Sequence, residues 1–106
     1  MELQKELSVL RKEIDEIDRQ IVPLFLKRMS VALKIGELKG KNNISVLDAE
    51  RERQVVEQAL SMAGDSLKDE TALFMRTIIA LSREYQLKML DDNRTEPEGN
   101  LRGDLK

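Results

Sequence analysis

Residues 3–38, LQKELSVLRKEIDEIDRQIVPLFLKRMSVALKIGEL, decide the fold of this chain. Eleven positions in this stretch, alternately four and three apart, are Leu3, Leu7, Leu10, Ile14, Ile17, Ile21, Leu24, Arg28, Val31, Ile35 and Leu38. That spacing is the inward stripe of one very long amphipathic helix. Arg28 interrupts it where an apolar side chain is expected. A cation on a buried seam is costly unless something anionic meets it. The stripe therefore predicts a place where negative charge is received.

Composition narrows the fold and the chemistry together. At 106 residues the chain is read as a single domain. Aromatic residues are 3% and charged residues 36%, with two prolines, five glycines and no alternating β-branched runs. The expected class is all-α. With no cysteine there is no disulfide, thiolate nucleophile or zinc–thiolate site. With no histidine the commonest general base and metal ligand are missing as well. Any catalysis must rest on arginine, lysine, carboxylates, hydroxyls and amides. A formal charge of −2 argues against a nucleic-acid partner. No secretory segment opens the chain and no apolar run is long enough to span a bilayer, so a soluble cytoplasmic protein is expected.

Three helices are predicted. The first runs from about Leu3 to Lys39, ended by Gly40 and the Asn42-Asn43 pair. At 1.5 Å per residue it is roughly 55 Å long, against a radius of gyration of about 13 Å for a compact 100-residue domain. The rest of the chain cannot cover such a stripe. A second copy can, so an intertwined homodimer is expected. Pro23 deletes a hydrogen bond to the Arg19 carbonyl and is expected to bend the helix there. Asp48 is the predicted N-cap of a second helix reaching about Ala63, with Glu50 and Glu52 in its first turn and Gly64 as its stop. Ser66 and Asp69 resemble a capping box for the third helix. Phe74, Met75, Ile78, Ile79, Leu81, Tyr85 and Met89 are assigned to its inner side. The ordered domain is expected over residues 1–90, and 91–106, polar and broken by proline and glycine, as a disordered tail.

Several polar groups stand where burial is called for. Lys39 follows Arg28 by eleven residues, about three turns and within some 20° of the same face. Ser82 and Gln86 continue the stripe of Met75 and Ile79 on the third helix, one turn apart. Arg51 and Glu52 project from the first turn of the second helix, beside backbone N–H groups read as free to bind an acceptor. Arg11 precedes Arg28 by seventeen residues, roughly 25 Å along the axis and about 100° around it. Two arginines so placed cannot grip one small molecule from a single straight helix. If Arg11 joins the site it does so from the other protomer. Singly, each of these groups has an ordinary explanation as surface charge, cap or core hydrogen bond. Jointly they describe a receptor for a small dianion with additional hydroxyl or ether oxygens.

The stretches LRKEIDEIDRQIVPLFLKRM and KIGELKGKNNISVLDAERE, followed by Ser82-x-x-x-Gln86, resemble the all-helical, AroQ-class chorismate mutases over about Leu7 to Gln86. The resemblance implies three helices per subunit in an intertwined homodimer, with chorismate as substrate and prephenate, a precursor of phenylalanine and tyrosine, as product. It implies that Arg28 and Arg11 of the partner subunit clamp the two carboxylates, Ser82 assisting. Lys39 and Gln86 would donate to the ether oxygen. Glu52 and the backbone at Asp48 would hold the ring hydroxyl, with Arg51 supporting that corner. No metal or cofactor is called for. Pro23 and the spacing from Phe74 to Ser82 depart from the family pattern. Two rivals stay open: an isochorismate–pyruvate lyase on the same scaffold, disfavoured by Arg51-Glu52, and a non-catalytic helical dimer serving as an adaptor.

Overall fold

A computed structural model describes the backbone of residues 1–95 and the side chains of residues 1–91. It contains three helices, α1 (Glu2–Lys41), α2 (Ala49–Ala63) and α3 (Lys68–Thr95), and no strand among the described residues. The all-α class and the three-helix order expected from the sequence hold. The chain divides into two compact units, Met1–Val31 and the remainder from Ala32, with α1 contributing to both.

The first unit is a single stretch of helix that continues through Pro23. Its stripe is not buried within the chain: Leu10 is 55% exposed, Ile14 59% and Leu24 65%. The exposure agrees with the expectation that the rest of the chain cannot cover the stripe. Leu7, Phe25, Arg28 and Met29 alone are half-buried in this unit.

In the second unit α1 continues to Lys41, and Gly40 lies inside it rather than ending it. Asn43 makes the stop. It adopts φ 56, a left-handed conformation that asparagine tolerates. The Ile44 N–H then reaches the Lys39 carbonyl at 2.8 Å and the Asn43 N–H reaches Gly40 at 3.3 Å. These are the two bonds of a Schellman motif, satisfying carbonyls that the helix leaves over. The face of α1 turned toward α3 is a row of small residues. Ala32 and Gly36 are buried, while Ile35 and Leu38 on the predicted stripe stay exposed. A Cβ on Gly36 would lie 3.1 Å from Gln86 Cγ, and one on Gly40 would lie 3.7 Å from Leu90 Cδ2. Both contacts advance in the same direction along the chain, so the two helices run locally parallel there.

The second helix follows local chemistry closely. Asp48 caps it, its carboxylate accepting the Arg51 N–H at 3.0 Å, and Gly64 ends it at φ 71 with its N–H on the Leu60 carbonyl. α3 packs against α2, and Val56 and Ala59 on α2 and Ala72 on α3 are buried. Its start lies one residue later than the capping box predicts. Leu67, at φ 50, precedes the helix and its carbonyl accepts from Thr71, which leaves Ser66 outside the capping position. Phe74 and Leu81, assigned to the inner side, are exposed on the single chain. Ala72, Ser82 and Gln86 take that side instead, with Met75, Ile78, Ile79, Tyr85 and Met89 half-buried. α3 also runs to Thr95, past the expected boundary at Leu90. No strong breaker stands in the sequence before Pro97, and charged or polar residues do not stop a helix already formed. The rest of the expected tail, residues 96–106, lies outside the described residues.

Candidate active site

Gly36 lets α1 and α3 approach each other closely. Against its bare backbone lies Gln86, 9% exposed, whose Nε2 donates to the Ala32 carbonyl at 2.7 Å. That bond uses one of the two amide N–H groups and leaves the second N–H and Oε1 for another partner. One turn earlier on α3, Ser82 is 8% exposed and its Oγ donates to the Ile78 carbonyl at 2.9 Å. Two polar side chains thus occupy two of the three buried positions among the described residues of α3, the third being Ala72. They cost desolvation free energy that a purely structural helix would avoid.

Lys39 lies on the last turn of α1, half-buried, with Nζ donating to the Val46 carbonyl at 3.4 Å. An ammonium has three donors, so this long bond positions the group without exhausting it. It also draws the 42–48 loop toward α1, as does the Asn42 amide donating to the Leu38 carbonyl at 2.9 Å, while within the loop the Leu47 N–H donates to Ser45 Oγ at 3.2 Å. The second unit therefore contains Lys39, Asp48, Arg51, Glu52, Ser82 and Gln86. Arg11 and Arg28 belong to the first. Arg28 is half-buried and held by an interaction of its own, and Arg11 is exposed.

The start of α2 is tied down more closely than the sequence indicates. Two of its N–H groups are taken: Asp48 accepts that of Arg51 through its side chain and that of Glu52 through its carbonyl, at 3.0 Å each. Glu52 is paired across the helices, its Oε2 accepting from Arg83 Nη1 on α3. Arg83 was not singled out in the sequence. Nothing local marks it, since its partner lies 31 residues away. Gly36 did carry a signal, as a glycine deep inside a helical pattern indicates a close neighbour. Beside the Glu52–Arg83 pair, α2 and α3 enclose a cleft of about 590 Å³ bordered by Val56, Leu60, Arg76 and Ile79. Arg53 faces outward, and its hydrogen bonds to Glu50 and Glu57 push its pKa further above its ordinary value.

Comparison with known proteins decides the family. The profile described as "Chorismate mutase type II" matches residues 10–87. The chain belongs to the type II chorismate mutase family. The match takes in all eight candidate residues, together with Gly36 and Arg83. A protein named chorismate mutase from Methanocaldococcus jannaschii is 33% identical, over 87% of this chain and 95% of its own length. A bifunctional chorismate mutase/prephenate dehydratase from Aquifex aeolicus is 45% identical over 55% of this chain and 16% of that protein. The T-protein of Haemophilus influenzae is 26% identical over 88% of this chain and 26% of that protein. The chain thus spans only about a sixth to a quarter of those two relatives. No solved structure matches it significantly. Among the described residues no helix is long and apolar enough to cross a membrane.

Proposed function

We propose that the protein is a chorismate mutase, converting chorismate to prephenate by intramolecular rearrangement in the cytoplasm. One carbon–oxygen bond breaks and one carbon–carbon bond forms, and no group is transferred to the protein. Two tasks remain for the side chains. The enolpyruvyl arm must be held folded over the ring, and negative charge gathering on the ether oxygen must meet donors already in place. Arg28, and Arg11 of the partner subunit, take the two carboxylates through forked hydrogen bonds, with Ser82 assisting. Lys39 and Gln86 donate to the ether oxygen. Glu52 and the backbone at Asp48 receive the ring hydroxyl, with Arg51 supporting them.

The observation that carries this reading is the buried Gln86 amide, seated against Gly36 with donor capacity to spare, in a chain of this family. A donor fixed before reaction costs nothing to reorganise when charge develops. The exposed stripe of the first unit supports a second copy of the chain as its cover. Leu10, Ile14, Ile17, Ile21 and Leu24 form an apolar face longer than a monomer ordinarily leaves in water.

The test is loss of chorismate absorbance on adding purified protein, with prephenate identified as product. Removal of a single oxyanion donor ordinarily costs about 3–4 kcal/mol, or two to three decades in rate. Lys39→Ala and Arg28→Ala are each expected to lose at least about a hundredfold in kcat/KM while the oligomer stays intact. Near-normal turnover in either variant refutes that assignment, and an inactive native protein refutes the function.

A further inference from the structure

Arg83 is the buried-side cation that the proposed chemistry leaves without a task. The pairs Arg19–Glu16, Arg53–Glu50, Arg53–Glu57 and Lys68–Asp65 each join residues three or four apart. Arg83 and Glu52 instead join two helices, and their side chains are only 33% and 31% exposed. Arg83 also directly follows Ser82 and precedes Gln86 by three residues, on the segment of α3 that carries the proposed substrate-facing groups.

The Glu52 backbone is already fixed, because its N–H lies on the Asp48 carbonyl at 3.0 Å in the capped first turn of α2. Its side-chain torsions are not fixed by the cap. A glutamate left to itself on a helix surface samples many rotamers, and ordering it on substrate binding wastes affinity. Arg83 engages Oε2 alone, and a carboxylate offers about four acceptor sites. Oε1 therefore remains available for a hydroxyl donor while the group is held from the far side. A pair of this exposure contributes little to stability, so its value lies in orientation.

We infer that Arg83 is a positioning residue, holding the Glu52 carboxylate ready for the ring hydroxyl of the substrate. The inference rests on the role proposed above for Glu52. Its test is a double-variant cycle: kcat and KM for the native protein, Arg83→Ala, Glu52→Gln and the double variant, with a melting midpoint for each. Arg83→Ala is expected to lower kcat/KM about tenfold, the cost of returning one long side chain to free rotation, with little change in melting. Arg83→Lys, which restores a charge but not the planar fork, is expected to recover activity to within about threefold. In the Glu52→Gln background the same Arg83→Ala change is expected to cost no more than about twofold. Should Arg83→Ala fail to fold, Arg83→Met, which keeps the volume of the stem, takes its place. A harmless Arg83→Ala, or an equal loss in both backgrounds, overturns the positioning role and leaves the mutase reading standing. A native protein that does not convert chorismate removes both.

Discussion

Replacing Gly36 by alanine tests whether the contact between α1 and α3 sets the chemistry. The added Cβ would stand 3.1 Å from Cγ and 3.2 Å from Cβ of Gln86, where carbon atoms prefer about 3.5–4.0 Å. Rotating the Gln86 side chain can relieve the first contact but not the second, since Gln86 Cβ is fixed to the α3 backbone. Either α3 moves by a few tenths of an ångström or α1 does. Alanine gains about 0.8–1.0 kcal/mol over glycine in a helix interior, whereas crowding a packed contact costs about 1–3 kcal/mol. The net is a destabilisation of about 1 kcal/mol, a fall of about 4–8 °C in melting midpoint for a domain of this size. Activity should suffer more. A donor must lie within about 2.7–3.1 Å of the oxygen it stabilises, and the shift disturbs the Gln86–Ala32 bond that aims the amide. The expected result is at least a tenfold fall in kcat at saturating chorismate, measured by absorbance, with KM changed less. A variant with native melting and kcat within twofold of the native protein would refute this account of Gly36.

Two further substitutions probe the local chemistry of α2, away from the substrate-facing groups of α3. Asp48→Ala removes the cap on the Arg51 N–H and should cost about 1 kcal/mol, read as a lower melting midpoint, while Asp48→Asn should retain most of it. Gly64→Ala meets no atom within 4 Å, so its cost, about 1–3 kcal/mol in urea unfolding, comes from the backbone at φ 71 and ψ −138 alone, a conformation nearly exclusive to glycine. An unchanged urea midpoint would show that this turn does not hold glycine for its conformation.

What was legible in the sequence was what neighbouring residues decide. The Asp48 cap and the Gly64 stop were readable because each acts within four residues of itself. The long helix was readable from its period, but the face that meets α3 was not. Ala32, Gly36 and Gly40 contribute little apolar area, so they vanish beside the leucines and isoleucines, although backbone proximity selects them. Phe74 and Leu81 were assigned inward because a size-weighted pattern cannot tell a core from a surface awaiting another chain. Ser82 and Gln86 stood out as polar breaks in an apolar stripe, and both are buried. Arg83 did not, since a lone arginine on a charged helix becomes informative only when α2 is brought beside it.

The central claim is a mutase site that two copies of the chain complete together. Arg11→Ala and Arg28→Ala should each be weak when assayed separately. Mixed in equal amounts and refolded to exchange subunits, half of the dimers become hybrids with one intact site in two, so activity should return to about a quarter of the native value. A mixture no more active than the average of its two components would contradict the claim.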